Sequence, residues 1–331
     1  MESDPFETLR QIAGGYCLSR SLHVIAQLAV ADHLDETPRT AAELAPSVGA
    51  DPEALHRVLR LLSAHGVFEA CDGKYRHSPA SRMLRTDHPQ SMRDYVRMFG
   101  LPPFWATFGE MEQSVRTGLP VGEKVIPGGL WAYFAQHPEA NAIFNATMVA
   151  KAHAHIAGIL GAYDFSAFKV IGDIGGGRGH LLSALLERVP TATGVLFDLP
   201  HVVEDKAGAV SPRLTRQAGD FFKDALPVCD AYVVMEVIHD WSDAESVSIL
   251  KAIRRAAPSH AKLLLIEEMV PDDPGPDWSK MLDIHMLVLL GGIQRTQAQY
   301  EVLFDAAGFS FEREIKTGAG ISILEAAVCG S

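Results

Sequence analysis

Residues 170–182, VIGDIGGGRGHLL, specify the start of an α/β domain. A β-branched, apolar run leads directly into Gly175, Gly176, Gly177 and Gly179, after which an apolar helical pattern begins. Glycines at this point let the backbone approach a ligand closely and expose amides at the N-terminus of a helix. The segment therefore predicts a strand, a glycine-rich binding loop and a helix.

The glycine spacing departs from a dinucleotide fingerprint. A G-x-G-x-x-G pattern beginning at Gly175 needs a third glycine at position 180, where this chain has His180. The observed pattern is G-x-G-x-G, through Gly177, and an acid, Asp173, precedes it. A pyrophosphate needs no carboxylate beside it, whereas a ligand with an ammonium group can use one. The loop therefore favours a ligand that carries an amine.

Strand and helix patterns alternate from Lys169 to the C-terminus. Apolar strands interleaved with helices predict a doubly wound parallel sheet that is covered on both faces. The strands are predicted at 169–175, 193–198, 213–220, 230–240, 261–270, 309–317 and 321–329. The helices are predicted at 179–188, 199–208, 243–257, 278–290 and 296–307. Because the last two strands are only a few residues apart, they predict an antiparallel hairpin at one edge.

Two further acids end successive strands. Asp198 lies 23 residues after Gly175, where dinucleotide folds place a carboxylate that binds the ribose hydroxyls. The next strand ends at Gly219-Asp220-Phe221, which supplies an acceptor for an exocyclic amine and an apolar face for a purine. Either acid alone is equally well explained as a helix N-cap. Both together predict a ligand that contains adenosine.

The N-terminal part of the chain has the pattern of a winged helix. Residues 16–32 form a helical apolar stripe, and Thr40 begins a capping box. A second helix starts at Asp51-Pro52-Glu53, and 67–78 contains two strand-like runs joined by Asp72-Gly73. Residues 1–100 hold 11 basic and 13 acidic residues, a balance of −2. A DNA-binding domain is normally clearly basic, so this pattern favours a packing or dimerisation module.

Composition limits the partners and the compartment. The net charge of −12 disfavours nucleic acid and anionic membranes as partners. Four scattered cysteines favour free thiols. Neither a signal peptide nor an apolar run of membrane-spanning length is predicted. We therefore expect a cytoplasmic protein.

Aromatic and methionine side chains are concentrated between the two patterns. They recur at helical spacing and include Phe104, Trp105, Trp131, Phe144 and Met148. Such a stripe usually forms core, but before a ligand-binding domain it is also the best candidate for an apolar substrate lid. The predicted organisation is a dimerisation domain at 1–100, a helical linker and lid at 101–164, and a catalytic domain at 165–331.

Five motifs together resemble a known family. They are DIGGGRG, FDLPHV, GDFF, VIHDWSD and GGIQRT, at 173–179, 197–202, 219–222, 237–243 and 291–296. They resemble the class I S-adenosylmethionine-dependent O-methyltransferases of small phenolic metabolites, both plant caffeate-type and bacterial antibiotic-tailoring enzymes. The resemblance runs from about residue 10 to the C-terminus. It implies a Rossmann-like fold, a winged-helix dimerisation domain, a homodimer, S-adenosyl-L-methionine as cofactor and a small aromatic hydroxylated substrate.

The resemblance also implies roles for particular residues. His239 matches the general base, Glu267 matches a carboxylate that orients it, and Phe144 and Met148 match pocket-lining positions. The residues expected at the cofactor are Asp173, Gly175, Gly177, Asp198, Leu199, Gly219, Asp220, Phe221 and Trp241. A histidine suits this chemistry because a phenol has a pKa near 10 and a base that titrates near neutrality can accept its proton. Asp240 also lies at a predicted strand end and is a second candidate to hold the imidazole.

Two positions depart from the family pattern. The usual second carboxylate falls on Gln294, and a basic position four residues before the histidine is Met235. Gln294 can hydrogen-bond an imidazole but adds no negative charge, so we expect a less activated base. This departure keeps a second hypothesis open, a cofactor-retaining relative that catalyses decarboxylation, hydroxylation or a pericyclic step. A third hypothesis is a non-enzymatic winged-helix regulator that binds DNA.

The remaining candidates are histidines. His285, beside Met286 and one turn before Leu289, either faces the substrate pocket or is a buried structural residue. His153 and His155 are two apart on a predicted helix and therefore point to different faces. With no Asp/Asp/Asn cluster either, no metal site is predicted.

Overall fold

A computed structural model describes residues 4–204 and 211–330 of the chain. These residues form two compact units. Unit 1 runs to Gly109 and includes Val125–Ala150, and unit 2 comprises Glu110–Lys124 and the chain from Lys151. No helix in the described part is both long enough and apolar enough to cross a membrane. The domain limits at 100/101 and 164/165 stay a prediction about organisation.

Unit 1 contains the winged-helix pattern. Its strands are β1 (Arg39–Thr40), β2 (Phe68–Cys71) and β3 (Lys74–His77), which form an antiparallel sheet in the order β1-β3-β2. Its helices are Pro5–Gln27, Ala41–Val48, Pro52–Ala64, Pro79–Arg82, Arg93–Phe99, Pro102–Gly109 and Gly129–Gln136, with a 3-10 turn at Val30–His33. Helix Pro138–Ala162 begins in unit 1 and ends in unit 2. The two-residue strand β1 was not expected from the sequence.

Local sequence signals account for the helices and the hairpin of the winged-helix region. The Thr40 hydroxyl accepts a hydrogen bond from the Glu43 N–H, and the Glu43 carboxylate accepts one from the Thr40 N–H. Asp51 caps helix Pro52–Ala64 through the Ala54 N–H. Asp72 and Gly73 both have positive φ values, 50° and 73°, as the tight turn of a hairpin requires.

The first helix lies earlier than its apolar stripe predicted. It spans Pro5–Gln27, because Asp4 caps it through the Phe6 N–H and a proline occupies its first turn. It ends before residue 32 because Ala29 adopts a left-handed conformation, with φ 54°, and a 3-10 turn follows. The helix therefore begins eleven residues before the predicted stripe.

Unit 2 contains a seven-stranded sheet, as predicted. Its strands are β4 (Val170–Ile174), β5 (Thr193–Asp198), β6 (Leu214–Ala218), β7 (Ala231–Met235), β8 (Lys262–Glu267), β9 (Phe309–Lys316) and β10 (Ser322–Val328). The order is β6-β5-β4-β7-β8-β10-β9. The strands from β6 to β8 are parallel, whereas β10 is antiparallel to both β8 and β9. The Rossmann-like sheet with a C-terminal antiparallel hairpin is confirmed.

Helices and apolar clusters cover both faces of this sheet. The helices of unit 2 are Met111–Thr117, His180–Arg188, Pro200–Val203, Asp243–Ala256, Trp278–Leu289 and Gln297–Ala307, and helix Gly122–Val125 lies in it except for its last residue. Of the helix predicted at 199–208, only Pro200–Val203 is seen, and 205–210 lie outside the described residues. The strand predicted at 230–240 stops at Met235 because Glu236 adopts a φ of 52°. His239 consequently lies in a 3-10 turn after β7 rather than in the strand.

Candidate active site

The turn that carries His239 is held by an acid on the neighbouring strand. The Oε1 atom of Glu267, at the end of β8, accepts hydrogen bonds from the backbone N–H groups of Ile238, at 3.0 Å, and His239, at 3.3 Å. Its Oε2 atom lies 3.2 Å from Nδ1 of His239 but forms no hydrogen bond within the described residues. Glu267 is fully buried. One carboxylate therefore fixes the backbone of His239 and lies beside its ring, whereas Ser242, and not His239, caps the following helix.

The other predicted catalytic side chains lie at opposite nitrogens of the same ring. The Gln294 carboxamide is buried, and its Nε2 lies 3.0 Å from His239 Nδ1. Its Oε1 has no hydrogen-bond partner among the described residues. Because amide oxygen and nitrogen are exchanged by a 180° rotation, the carboxamide can instead accept from a protonated Nδ1. Asp240 lies at the other nitrogen, with Oδ1 3.4 Å from Nε2.

Burial and charge act in opposite senses on this histidine. Burial by itself would lower the pKa of His239, but the carboxylates of Glu267, Asp240 and Glu236 outweigh it and raise that pKa above its ordinary value. Burial also raises the pKa of Glu267 to about 7, although the His239 charge opposes this increase. Burial thus favours the neutral acid of Glu267, whereas the surrounding carboxylates favour the protonated imidazole of His239.

A glycine and an arginine support the His239 turn from behind. The Ile293 N–H donates to the His239 carbonyl at 2.8 Å, and a Cβ on Gly292 would lie 2.2 Å from that carbonyl oxygen. Arg295 is 1% exposed. Its guanidinium donates to the carbonyls of Ile238, at 3.2 Å, and Trp241, at 2.8 Å, and to Asp243. No sequence signal predicts this role of Arg295, although it belongs to the GGIQRT motif.

The glycine loop and Asp198 form one hydrogen-bonded unit. The Gly175 N–H donates to the Phe197 carbonyl at 2.8 Å. The Asp198 carboxylate accepts from the N–H groups of Gly177, at 2.8 Å, and Leu199, at 2.7 Å. Gly177 has a φ of 58°, and a Cβ there would meet no atom within 4 Å. The carboxyl ends of β4 and β5 therefore present an open glycine backbone beside a carboxylate, as expected from the sequence.

Asp173 lies beneath the loop rather than in front of it. It is 2% exposed, and a Cβ on Gly176 would lie 2.4 Å from its Oδ2. No hydrogen bond reaches this Oδ2 atom from the part of the chain that the structure describes. Burial, and next the Asp198 charge, raise the pKa of Asp173 to about 7. A direct contact between Asp173 and a ligand ammonium stays a prediction.

The end of β6 carries the predicted acid and aromatic groups. Asp220 accepts from the Phe222 N–H at 2.9 Å and from Lys223 at 2.7 Å. The Lys223 hydrogen bond lowers the pKa of Asp220. The Phe221 ring lies 5.8 Å from Trp241 and the Phe222 ring lies 4.9 Å from it, both edge-on. Gly219 precedes this cluster, and its N–H donates to the Asp198 carbonyl at 3.0 Å, which ties the ends of β5 and β6 together.

The predicted substrate residues are divided between the two units. Phe104, Trp105, Trp131, Phe144 and Met148 belong to unit 1. Within unit 1, Trp131 is 59% exposed and packs edge-on against Phe144 at 5.6 Å, while Trp105 packs against His23 at 5.9 Å. Phe104 is buried and Met148 half-buried.

His285, Met286 and Leu289 lie in unit 2, on helix Trp278–Leu289. His285 and Met286 are half-buried and Leu289 is buried. Burial lowers the pKa of His285 to about 4. A neutral imidazole is therefore expected at neutral pH, and both interpretations of His285 remain predictions.

The residues at the strand ends fit an S-adenosylmethionine site. A glycine loop with open space, a carboxylate at each of the next two strand ends and an aromatic cluster match the parts of an adenosine-containing amino acid. Among the described residues, no group of three or more His, Cys, Asp or Glu side chains could hold a metal ion. His153 instead packs against His180 at 5.9 Å, while His155 faces Glu236 and Glu268.

Comparison with known proteins places the chain in a family. Residues 108–310 match the O-methyltransferase domain and residues 10–87 match the O-methyltransferase dimerisation domain. The phenazine O-methyltransferase PhzM of Lysobacter antibioticus is 39% identical over 96% of this chain and 95% of its own. An 8-amino-8-demethylriboflavin N,N-dimethyltransferase of Streptomyces davaonensis is 38% identical over 87% of this chain and 85% of its own.

A solved structure agrees with these relatives. The S-adenosylhomocysteine-bound form of CalO1, a methyltransferase of calicheamicin biosynthesis, superposes with a TM-score of 0.88 at 34% identity and covers 99% of this chain and 100% of its own. The chain therefore belongs to the S-adenosylmethionine-dependent O-methyltransferase family.

Proposed function

We propose that the chain methylates a hydroxyl of a small aromatic, polyketide- or antibiotic-like metabolite, with His239 as the general base. The observation that carries the proposal is the anchoring of His239, whose backbone N–H is bound by the buried Glu267 and whose Nδ1 lies 3.2 Å from the same carboxylate. The relatives support the acceptor class, since they include phenazine, mitomycin and aminohydroxybenzoate O-methyltransferases.

The proton moves between the acceptor and Nε2 of His239. When Nδ1–H donates to Glu267, and to Gln294 through its oxygen, the Nε2 lone pair is free to accept the hydroxyl proton. The charge that develops on the imidazole is then stabilised by the buried Glu267 carboxylate. Asp240, 3.4 Å from Nε2, marks the side of the ring at which the hydroxyl is expected.

The cofactor residues are proposed from the geometry of the strand ends. When bound, S-adenosyl-L-methionine supplies an electrophilic methyl group on a sulfonium. Asp198 would accept the ribose hydroxyls, Asp220 would accept the adenine amine, and Phe221 and Trp241 would cover the ring. The backbone of Gly175 and Gly177 would hold the amino-acid end. Leu199, Gly219 and Asp173 complete the proposed site, the last from beneath the loop. Methyl transfer then needs mainly alignment and the removal of one proton.

The test is a product assay with a matched histidine control. Hydroxylated naphthoic acids and phenols are screened for S-adenosylhomocysteine release, and the product is examined for a gain of one methyl group. We expect His239→Ala to lower turnover by about 10²–10⁴-fold while calorimetric S-adenosylhomocysteine binding stays within threefold. His260→Ala, at an exposed histidine whose ion pair is with Asp230, should leave turnover unchanged. Near-normal turnover of His239→Ala refutes the base, and a product without an added methyl favours the cofactor-retaining alternative.

We also propose that the chain is a homodimer through its first helix. Helix Pro5–Gln27 exposes an apolar stripe at helical spacing that its own unit does not cover, made of Phe6, Leu9, Ile12 and Tyr16. Exposed apolar patches of this kind mark interfaces. Light scattering should give twice the 35.9 kDa chain mass, and Leu9→Glu/Ile12→Glu should reduce it. A monomeric mass at micromolar concentration refutes the proposal.

A further inference from the structure

A second charged cluster lies at the same sheet edge as His239. Lys151 forms an ion pair with Glu236 and a second one, at 3.1 Å, with Glu268. His155 lies with Nδ1 3.5 Å from Glu236 and Nε2 3.9 Å from Glu268. All four side chains are at most 20% exposed. We call these four residues the Lys151 cluster, and neither the family motifs nor the proposed mechanism uses it.

The topology brings the cluster together. Lys151 and His155 are four residues apart on helix Pro138–Ala162 and so share a face. Glu236 directly follows β7 and Glu268 directly follows β8, and these strands are parallel neighbours. The ammonium of Lys151 therefore spans the carboxyl ends of the two strands that position His239 and Glu267.

Glu236 is held in a conformation that few non-glycine residues adopt. Its φ is 52°, its N–H donates to the Ile266 carbonyl at 2.9 Å, and its carboxylate is bound by Lys151. Such conformations persist when the surroundings over-determine them, often at active sites. Glu236 is three residues before His239, so its conformation sets the direction in which the chain enters the His239 turn.

The charges that face His239 come from four elements. Glu267 is at the end of β8, Asp240 is in the turn itself, Glu236 follows β7, and Lys151 is on the long helix. Three are carboxylates, and Lys151 is the cation among the described groups that act on the ring. Gln294 contributes a neutral amide. The protonation of His239 therefore depends on whether Lys151 is present to offset Glu236.

We propose that Lys151 and Glu236 are positioning residues for methyl transfer, and that their ion pair sets the charge facing His239 and anchors the turn that carries it. This inference deepens the proposed function and rests on the role of His239 as base. It assigns a function to a lysine and a glutamate that take no part in the proposed proton transfer.

The test uses opposite changes of charge. Lys151→Met leaves Glu236 without its cation, so the acidic limb of the pH profile of kcat/KM should shift upward by about one pH unit. Glu236→Gln removes a negative charge, so the limb should shift downward by a similar amount. Lys151→Met/Glu236→Gln should return it towards the wild-type position. Lys151→Arg should keep the wild-type limb because it keeps the charge.

A surface ion pair provides the control. Lys262 pairs with Glu312 on the same sheet, and Lys262→Met should leave the limb in place. S-adenosylhomocysteine binding and thermal unfolding of each variant establish that the protein is folded. A limb that stays fixed in both single variants, or that moves in the same direction in both, overturns the inference, because a merely structural ion pair would lower stability and rate without opposite pH shifts.

A direct titration separates this inference from the proposed function. The chain is labelled with 13C in its histidine rings, and the His239 signal is assigned by its loss in His239→Asn. Opposite shifts of the His239 pKa in the two variants support the charge coupling whether or not the enzyme turns over. If the NMR pKa shifts but the kinetic limb does not, the role of His239 as base fails. If the NMR pKa does not shift, the inference on Lys151 and Glu236 fails.

Discussion

Gly292→Ala tests whether the position of the His239 turn governs the reaction. An alanine Cβ at this position would lie 2.2 Å from the His239 carbonyl oxygen and 3.0 Å from the Asp240 Cα. Ordinary carbon contacts begin near 3.5 Å, so the turn must withdraw by about 1 Å. A misplacement of about 1 Å in a catalytic group can cost on the order of 10²-fold in rate. We therefore expect kcat to fall by about 30–100-fold.

The assay measures S-adenosylhomocysteine release with a hydroxylated naphthoic acid that the wild-type enzyme accepts. The affinity for S-adenosylhomocysteine should change less than threefold, because the glycine loop and Asp198 lie at the ends of β4 and β5 and not in the His239 turn. Gly161→Ala is the control, because a Cβ at Gly161 meets nothing within 4 Å and alanine favours a helix. If Gly292→Ala retains kcat within twofold while folding normally, the rigid support of His239 is not required and the reasoning is refuted.

Three further substitutions probe the same sheet edge. Glu267→Gln replaces one carboxylate oxygen with an NH2 group, so the side chain cannot accept hydrogen bonds both from the Ile238 and His239 N–H groups and from Nδ1–H. We expect kcat to fall by about 10³-fold with S-adenosylhomocysteine binding retained, and unchanged kcat would contradict the anchoring role. Asp173→Asn removes a buried acid whose pKa rises from 3.8 to about 7 on burial. The ligand-free wild type should lose on the order of 4 kcal/mol between pH 4 and pH 7 relative to this variant, and equal urea midpoints at pH 5 and pH 8 would count against it. Arg295→Met removes the hydrogen bonds to the Ile238 and Trp241 carbonyls, and should lower the free energy of unfolding by about 3 kcal/mol and reduce kcat. Wild-type stability by urea denaturation would exclude that role.

Much of the fold could be predicted because its signals are local. Each of these signals depends on residues only a few positions apart in the sequence. Examples are the strand periodicity around β4, the capping box at Thr40 and the turn at Asp72-Gly73. Boundaries failed where the backbone changes conformation at a single non-glycine residue. The first helix ends before Ala29 and β7 ends before Glu236, both of which have positive φ values. Alanine and glutamate rarely adopt this conformation, so neither residue type predicts it.

The site could be predicted only in part, because its chemistry depends on contacts between distant residues. The family resemblance predicts roles for His239 and Glu267, whose motifs lie at strand ends. It predicts none for Arg295, because this residue contacts carbonyl groups more than fifty residues away. The Lys151 cluster has no local signal at all, because a lysine and a histidine four apart on a helix normally indicate a solvated face.

The structure changes the interpretation of Gln294. From the sequence, the loss of a second carboxylate implied a less activated base. In the structure, Glu267, Asp240 and Glu236 already face His239 and raise its pKa. A further buried carboxylate at position 294 would raise that pKa again, and a base that is protonated at neutral pH accepts no proton. A neutral carboxamide orients the ring at 3.0 Å without this cost, so the departure at Gln294 is compatible with efficient proton removal.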